Sequence, residues 1–292
     1  MRTYLECIPC FARQALNVAQ AVTDDPEVQQ AVMRKVLREI AEMDLSLSPP
    51  AMGQFIHRVV RQTTGNSDPY HEIKETFNQL ALSMYPRFKR RVEESADPLE
   101  MATRLAIAGN IIDFGAKHSL TKEDVSRTLA EALETPLPPE PLGTFRREIA
   151  DAASILYLGD NAGEIVFDRL LIEKLPRERT TFVVRGSPVI NDATLRDAEQ
   201  AGVAGLVEVI DNGSDAPGTI IEDCSAEFRD RFAEADLIIA KGQGNYETLN
   251  ETDLPIFYLL KVKCPVIARD IGCPVGSALL VDGRKCAGRA KR

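Results

Sequence analysis

The sequence predicts an α/β protein in which a mostly parallel sheet is covered by helices and preceded by an all-helical N-terminal lobe. Three features support this prediction. Residues 1 to about 145 show helical periodicity with almost no strand pattern. From about residue 150, short apolar segments alternate with amphipathic ones. Strand–helix alternation with apolar strands is typical of a parallel sheet that is buried on both faces.

The helical lobe, residues 1–145, is predicted from a series of amphipathic segments. They are Gln14–Gln20, Pro26–Met43, Met52–Gln62, Tyr70–Tyr85, Pro98–Phe114 and Thr121–Glu134. The last segment begins with a pattern similar to a capping box. It is followed by Thr135–Pro141, where four prolines in seven residues cannot continue a helix. We therefore expect a linker there, followed by an α/β lobe formed by residues 146–292.

The α/β lobe is predicted from shorter segments. Strands are expected at Ser154–Leu158, Thr180–Val184, Leu206–Ile210, Leu237–Ala240 and Phe257–Val262, with a sixth candidate at Val266–Ala268. Helices are expected between them at Glu164–Leu175, Ala193–Ala201, Ser225–Ala235 and in a short segment near Tyr246. No internal repeat interrupts this alternation.

Composition argues against several classes of protein. With 292 residues and a hydrophobic content of 44%, the chain suits one large or two ordinary globular domains. The net charge of −9 argues against a general nucleic-acid binder. Polar residues near the start leave no apolar signal segment, and the longest apolar run is too short to span a bilayer. Six cysteines do not form a disulfide scaffold in a chain of this length, so we expect a reduced, cytoplasmic protein.

Polar and charged residues follow each of the first four predicted strands. These segments are Asp160–Asn161, Arg185–Asp192, Asp211–Asp215 and Lys241–Asn245. Ligands of parallel α/β sheets bind beyond the carboxyl ends of the strands. Asn, Asp and Gly are also ordinary turn residues, so any one of these segments has a purely structural explanation. Their occurrence after four successive strands favours a functional cluster at one edge of the sheet.

The segment Leu158–Glu164, which reads Leu-Gly-Asp-Asn-Ala-Gly-Glu, carries the most informative chemistry. Two carboxylates and an amide, from Asp160, Asp192 and Asn161, suit Mg²⁺ or Mn²⁺ better than zinc. The helix that follows would present its positive N-terminal end to an anion. Glu164 either caps this helix or holds a water beside the metal. A divalent metal next to a phosphate is therefore the first hypothesis.

Candidate groups for binding the phosphate lie after the second and fourth strands. Lys241 is flanked by Gly242 and Gly244, so that backbone and ammonium could approach a phosphate together. Arg185 is a second candidate, although a surface ion pair explains it equally well. Such a site would catalyse phosphoryl transfer to water, with Lys241 offsetting the charge that develops in the transition state. The attacking group is either water or a carboxylate such as Asp192.

Seven segments, found in order along nearly the whole chain, form a specific set of motifs. They are Cys7–Cys10, Thr64–Tyr70, Ala108–Gly115, Leu158–Glu164, Arg185–Thr194, Asp211–Gly213 and Ala240–Asn245. Together they resemble the metal-dependent damage-control phosphatase family, formerly a domain of unknown function and also termed acidic-residue-methyltransferase-like. The Cys-x-x-Cys pair is similar to the mainly prokaryotic subgroup, and the Arg-Thr-x-Lys motif of the eukaryotic sugar-phosphate subgroup is absent. The match suggests that Gly65–Tyr70 shapes the substrate cleft, together with Lys74.

The resemblance implies roles for individual residues. It implies a helical lobe packed on a Rossmann-like α/β lobe, with a divalent cation (Mn, Mg, Co or Ni) held by Asp160, Asn161 and Asp192. Asp160, Asp192 and Lys241 would form the catalytic set, with Lys241 contacting the phosphate. The substrate would be a small phosphorylated metabolite, such as a sugar phosphate or a damaged intermediate. Further substrate contacts are expected from Asn110, Asp113, Glu164, Arg185, Gly242, Gly244 and Asn245.

Two other interpretations remain open. A Rossmann-like enzyme that uses a nucleotide or S-adenosylmethionine would bind its cofactor at the Gly159 turn. The Gly-x-Gly-x-x-Gly fingerprint is absent there, and Arg185–Gly186 stands where such enzymes carry a ribose-binding acid. A redox or metal-binding module would instead depend on the Cys7–Cys10 motif, joined by Cys264 and Cys273 only if the fold brings them close.

Overall fold

The computed structural model describes residues 1–110 and 122–285. Within these residues the chain forms twelve α-helices and one six-stranded sheet, which confirms the predicted α/β class. The N-terminal helices are α1 (Cys7–Val22), α2 (Pro26–Glu42), α3 (Pro49–Thr64), α4 (His71–Glu93), α5 (Pro98–Gly109), α6 (Lys122–Glu134) and α7 (Pro139–Asp151). The alternating part contains β1 (Ile155–Leu158), α8 (Glu164–Ile172), β2 (Thr180–Val184), α9 (Leu195–Ala201), β3 (Glu208–Asp211), α10 (Ala226–Glu234), β4 (Leu237–Lys241), α11 (Gly242–Leu249), β5 (Ile256–Lys261), α12 (Pro265–Ile271) and β6 (Ala278–Asp282).

The sheet has the strand order β3-β2-β1-β4-β5-β6. Strands β1 to β5 run parallel, and β6 pairs antiparallel with β5. The chain first moves outward from β1 through β2 and β3, and then returns to the other side of β1 to form β4. Because the strand order reverses there, the carboxyl ends of β1 and β4 border the crevice in which such sheets bind ligands.

Proline and acidic residues explain where several helices begin. Prolines occupy the first turn of α2, α3, α5, α7 and α12, where a missing N–H loses no helical hydrogen bond. The side chains of Asp25 and Asp97 accept backbone N–H groups at the starts of α2 and α5. Throughout the described part of the chain, every helix is too short or too polar to cross a membrane.

The helical part packs directly on the α/β part. Where α4 and α8 meet, the rings of Phe88 and Phe167 contact edge to face, with their centroids 6.0 Å apart. Both belong to a hydrophobic cluster that also contains Leu105 of α5 and Tyr157 of β1. Leu156 is next to Tyr157 in β1, so its side chain points to the opposite face of the sheet. There it belongs to a second hydrophobic cluster, which packs α10, α11 and α12 on that face. The sheet is therefore covered on both faces.

The structure corrects one predicted strand. The first five predicted strands are confirmed with small shifts of their ends. Val266–Ala268, predicted as a strand, lies within α12, which begins at Pro265. The sixth strand is instead Ala278–Asp282, an antiparallel edge strand whose side chains are mostly half-buried or exposed. Such a strand lacks the continuous apolar run by which the buried parallel strands were identified.

The proline-rich segment also differs from expectation. It is non-helical only as far as Pro138, because α7 begins at Pro139 and was not predicted. The proposed boundary between residues 145 and 146 falls within α7. The predicted end of the fifth helix at Phe114 and the predicted start of the sixth at Thr121 lie outside the described residues.

Candidate functional site

Two loops at the carboxyl ends of β1 and β2 lie side by side and bring the predicted metal ligands together. The turn after β1 carries Asp160 and Asn161, and the loop after β2 carries Asp192. Asn161 and Asp192 pair as an isolated antiparallel bridge. In addition, the N–H of Ala193 donates to the carbonyl of Asp160 at 2.8 Å. The backbone itself therefore places these three side chains in one region.

Two amides hold the carboxylates of Asp160 and Glu164 together. Asn110, which follows α5, donates from Nδ2 to Asp160 Oδ2 at 3.0 Å and to Glu164 Oε2 at 2.8 Å. Asn161 donates from Nδ2 to the same two oxygens, at 2.8 Å and 2.9 Å. Burial, and then the nearby charge of Glu164, raise the pKa of Asp160 well above its usual range. Asn110 thus reaches the site from the helical part, whereas Asp113 lies outside the described residues.

Lys241, the last residue of β4, lies in a fully buried ion-pair cluster. Its Nζ donates to Glu164 Oε1 and Asp168 Oδ1, both at 2.6 Å, and to the carbonyl of Ala106 at 2.8 Å. The three N–H groups of the ammonium therefore have three protein acceptors. Burial lowers the pKa of Lys241, but the two carboxylates outweigh burial and raise it above its usual value. The phosphate contact predicted for Lys241 would require one of these three bonds to break.

Asp168 and Tyr157 belong to this cluster but were not among the predicted site residues. Tyr157 donates its hydroxyl to Asp168 Oδ1 at 2.9 Å, and both side chains are fully buried. Burial raises the pKa of Asp168 to about 7, against the opposing charge of Lys241. One signal was present in the sequence, because Asp168 lies four residues after Glu164 and so on the same face of a mainly apolar helix.

Arg185, which follows β2, forms a buried ion pair instead of the surface pair considered from the sequence. Its Nε donates to Asp192 Oδ2 at 2.7 Å, and its side chain is only 2% exposed. Its Nη2 lies 3.8 Å from Asp160 Oδ1 and 3.4 Å from Asn245 Oδ1. Thr219, which sequence reasoning did not identify, donates to Asn245 Oδ1 at 2.8 Å. Arg185 therefore links two proposed metal ligands to α11.

Gly242 brings the backbone of α11 against Asp160. It has a φ of 77°, and a Cβ atom at this position would overlap Asp160 Oδ2. Only glycine therefore allows α11 to start beside this carboxylate. Gly244 is also closely packed, but against a backbone carbonyl of the loop between β3 and α10. Asn245 donates from Nδ2 to the carbonyl of Lys241 at 2.7 Å, which fixes its side chain at the end of β4.

Several N–H groups at the start of α8, which the sequence suggested for an anion, already donate to protein acceptors. Gly163, the residue before α8, donates its N–H to Asn78 Oδ1 of α4 at 2.6 Å. The N–H groups of Ile165 and Val166 bond to the carbonyls of Asn161 and Gly163. A nucleotide phosphate bound at this helix start, as in dinucleotide-binding enzymes, would have to displace Asn78. The geometry therefore disfavours the nucleotide-dependent alternative.

The buried part of the site has more carboxyl groups than cations. Among the described residues it contains four carboxylates and two cations, and the half-buried Lys263 adds a further positive charge that acts on Asp160. The buried members are Asp160, Glu164, Asp168, Asp192, Arg185 and Lys241. Within the same described part, the buried Oδ1 of Asn110 has no hydrogen-bond partner. Oxygen donors, an excess of carboxyl groups over cations and an unsatisfied amide oxygen together fit a divalent cation.

A cavity of about 530 Å³ lies beside Arg185. Asn66–Asp68, part of the segment predicted to shape the substrate cleft, lines it together with Lys74. The loop after β2 and the start of α9 line the other side, with Thr194 and Asp197. Lys74 is buried and pairs with Asp68 at 3.1 Å and with Asp197 at 3.3 Å. The cavity is therefore lined by polar groups of both charges, and Arg185 is shared between it and the buried site.

The fold brings Cys264, which precedes α12, near the Cys-x-x-Cys pair of α1. Burial raises the pKa of Cys7 and Cys10, and the neighbouring Cys264 contributes to this effect. All three are free thiols. Over the residues that the structure describes, no group of three or more His, Cys, Asp or Glu side chains is arranged to hold a metal ion. The proposed metal ligands Asp160, Asn161 and Asp192 are two carboxylates and one amide, so they are not a group of that kind.

The fold and the site define an α/β protein with a buried acidic site at the carboxyl ends of its parallel strands. The domain described as "Damage-control phosphatase ARMT1-like domain" matches residues 3–279 of the chain. The crystal structure of a DUF89 family protein from Pyrococcus horikoshii has the same fold, with a TM-score of 0.88 at 32% identity. The superposition covers 97% of this chain and 99% of the other.

Relatives with similar sequences support the same assignment. Damage-control phosphatase PH1575 from Pyrococcus horikoshii is 36% identical over 290 residues, which cover 97% of this chain and 99% of the relative. A damage-control phosphatase from Archaeoglobus fulgidus is 38% identical over 276 residues, covering 92% and 95%. The uncharacterized protein MJ0202 from Methanocaldococcus jannaschii is 38% identical over 288 residues, 94% of each chain. The chain therefore belongs to the ARMT1-like damage-control phosphatase family, as its motifs predicted.

Proposed function

We propose that the protein is a metal-dependent phosphatase that hydrolyses phosphate monoesters of small metabolites. One observation carries the proposal: Asp160, Asn161 and Asp192 meet in a buried cluster that has more carboxylates than cations. Membership of a damage-control phosphatase family supports hydrolysis of a phosphate ester as the reaction. The active site would lie at the carboxyl ends of β1, β2 and β4, on the side where Asn110 enters from the helical part.

The same three side chains would hold the metal. Their oxygen atoms suit Mg²⁺ or Mn²⁺, and Co²⁺ or Ni²⁺ are compatible with a mixed carboxylate and amide set. When bound, a divalent cation would polarise the phosphoryl oxygens and offset the charge of the transition state. Its charge would also relieve the repulsion between Asp160 and Glu164, whose carboxylates share two amide donors.

The buried cations would act from fixed positions. Arg185 holds Asp192 through Nε, and its Nη2 lies near Asp160, so its charge acts where phosphate oxygens would bind. Lys241 orients Glu164 through a hydrogen bond of 2.6 Å. We therefore propose that Lys241 supports catalysis by holding Glu164 and by its positive charge. Direct contact with the phosphate, which the resemblance implied for Lys241, stays a prediction.

The phosphate itself would approach the start of α11. Gly242 lies against Asp160, and the first turn of α11 presents its backbone N–H groups and the positive end of the helix dipole. Gly244 and Asn245 belong to the same turn, which supports their predicted part in substrate binding.

The substrate would be a sugar phosphate or another small phosphorylated metabolite, including damaged intermediates. The cavity beside Arg185, about 530 Å³ in volume, offers space and hydrogen-bonding groups for a hydroxylated leaving group. A cytoplasmic location, and the lack of nucleic-acid and membrane partners, stay predictions from the sequence.

Metal-stripped protein provides the test. Phosphate release from p-nitrophenyl phosphate and from a panel of sugar and cofactor phosphates is measured without metal and with added Mg, Mn, Co or Ni. Asp160→Asn and Asp192→Asn should each abolish the metal-dependent turnover. Asp211→Asn, the same change at the end of neighbouring β3 and outside the buried cluster, should retain it. Metal-independent turnover, or full activity of Asp160→Asn, would refute the proposal.

A further inference from the structure

Asn78 of α4 connects the two loops that carry the proposed metal ligands through three hydrogen bonds, each of which goes to a residue other than a ligand. Its side chain is completely buried. The amide accepts a hydrogen bond through Oδ1 from the turn after β1 and donates two through Nδ2 to α9. It uses the acceptor and both donors that an asparagine side chain offers.

The first bond holds the turn of Asp160 and Asn161. Asn78 Oδ1 accepts the N–H of Gly163 at 2.6 Å. Gly163 lies between Asn161 and Glu164 and has a φ of 79°, so its N–H direction depends on a backbone conformation that glycine adopts readily. Because the bond is buried, losing it would leave an unsatisfied N–H at the start of α8, which is costly.

The second bond holds the loop of Asp192. Asn78 Nδ2 donates to Asp197 Oδ1 at 3.1 Å. The other oxygen of Asp197 accepts the N–H of Thr194 at 2.9 Å and its hydroxyl at 2.8 Å, in a capping box at the start of α9. Thr194 follows Asp192 by two residues, so Asp197 defines where the ligand loop ends. The remaining donor of Asn78 goes to Gln200 Oε1 at 2.9 Å, farther along α9.

We propose that Asn78 is a positioning residue that sets the separation between the Asp160–Asn161 turn and the Asp192 loop, and thereby the affinity for the metal. The inference rests on the proposed function. A divalent cation requires its ligands within a few tenths of an ångström of their preferred distances, and residues that orient ligands typically change metal affinity by about 10–100-fold when mutated. An amide side chain is required because Gly163 donates an N–H to it and Asp197 presents a carboxylate that accepts from it.

Two variants of Asn78 separate its two bonds. Asn78→Ala removes both. Asn78→Asp has the same shape and keeps an acceptor for Gly163, but it replaces the donor with an oxygen that faces Asp197. Gln200→Ala is the matched control, since it removes a partner of Asn78 that lies within α9, outside both ligand loops. Mn²⁺ binding to the full chain is measured by calorimetry, and amide hydrogen exchange is measured on peptides that cover residues 159–165.

We expect Asn78→Ala and Asn78→Asp to weaken Mn²⁺ binding by about tenfold or more, with kcat largely recovered at saturating Mn²⁺. Exchange of the Gly163 amide should accelerate in Asn78→Ala but not in Asn78→Asp. Gln200→Ala should bind Mn²⁺ within about twofold of the wild type. A merely structural role would lower the thermal midpoint without changing these metal-binding measurements.

Different results would overturn different claims. A folded Asn78→Ala or Asn78→Asp protein that binds Mn²⁺ as tightly as the wild type would overturn the role of Asn78 and leave the phosphatase proposal intact. If Asn78→Ala does not fold, the isosteric Asn78→Asp decides the question. If the wild type binds no divalent metal, the proposed function is overturned, and the inference with it. This outcome is seen in the wild-type protein itself, so it is distinguished from a failure that concerns Asn78 alone.

Discussion

Replacing Lys241 with methionine is the most direct test of the buried ion-pair cluster. The ammonium lies 2.6 Å from both Glu164 Oε1 and Asp168 Oδ1, and all three side chains are fully buried. Glu164 and Asp168 are one helical turn apart on α8, so their charges repel each other without a cation between them. We expect Lys241→Met to fold less stably and to lose stability most strongly at high pH.

The size of the effect follows from this burial. Removing one partner of a buried ion pair costs about 3–5 kcal/mol, because the remaining charge is left without compensation. Here two carboxylates lose the same cation, so the loss should lie toward the upper end. For a chain of this size, about 1 kcal/mol corresponds to a shift of about 2–4 °C in the thermal midpoint. Lys241→Met should therefore lower the midpoint by roughly 10–20 °C at pH 8.

The pH dependence has a defined sign. Burial already raises the pKa of Asp168 to about 7, and the charge of Lys241 opposes this rise. Without Lys241 the pKa of Asp168 in the folded protein should rise further. A carboxyl that binds its proton more tightly in the folded state contributes stability at low pH and loses it as the pH rises through the folded pKa. The destabilisation should therefore be smaller at pH 5.5 than at pH 8.

Urea unfolding followed by circular dichroism at pH 5.5 and pH 8 measures the effect. Lys261→Met, at the end of neighbouring β5 where the lysine is half-buried, is the matched control and should change stability by less than about 0.5 kcal/mol. The triple variant Glu164→Gln, Lys241→Met, Asp168→Asn should recover much of the loss, since no buried charge remains unpaired. A loss below about 1 kcal/mol at pH 8, or an equal loss at both pH values, would refute the reasoning.

Two further predictions concern the glycine beside Asp160 and a buried histidine. Gly242→Ala should fold but weaken Mn²⁺ binding by about tenfold or more in calorimetry, because the added methyl overlaps Asp160 Oδ2. Gly205→Ala, where the nearest neighbour leaves room for a Cβ, is the control and should bind normally. Burial, and then Arg61, lower the pKa of His57 to about 3, so the wild type should lose up to about 1.4 kcal/mol per pH unit as the pH falls from about 6 to 4. His57→Phe should lack this contribution in urea unfolding at pH 4.5 and 7, and an unchanged pH dependence would contradict the assignment.

The parallel core of the sheet was predictable because its strands are short apolar runs bounded by turn residues. All residues of Ile155–Leu158 and Leu237–Lys241 are buried, and the mainly apolar sequences of these strands predict that burial. Ala278–Asp282 escaped prediction because an edge strand needs no continuous apolar run. Val266–Ala268 is too short for its apolar residues to distinguish helix from strand, and Pro265 at the first helical position decides in favour of the helix.

The start of α7 shows that proline can mark the beginning of a helix as well as its end. Four prolines between Thr135 and Pro141 predict an interruption, and the chain is indeed non-helical up to Pro138. A proline at the first turn of a helix, however, loses no hydrogen bond and has a favourable φ. The run therefore both ends one helix and starts another, and the periodicity of Pro139–Asp151 was the stronger signal.

The proximity of the candidate residues that follow strands was predictable, whereas their partners inside helices were not. Asp160 and Asn161 follow β1 closely, and Asp192 lies in the loop after β2, so the topology of the sheet brings them to one edge. Asn78 and Asp168 belong to helices, and their roles depend on which helices pack against the sheet. A charged residue at a strand end also does not reveal its direction. The phosphate contact of Lys241 stays a prediction, and in this structure its ammonium donates to three protein acceptors.

These contacts make the helical part a structural component of the site. Asn110 donates to two of its carboxylates, the carbonyl of Ala106 accepts from Lys241, and Asn78 holds the turn before α8. In an α/β part without the helical part, water would have to supply each of these hydrogen bonds. Lys241 and Glu164 would also be less buried there. A buried cation between carboxylates depends on low dielectric and complete hydrogen bonding. The proposed catalytic geometry therefore requires α4 and α5 as much as the strands that carry the ligands.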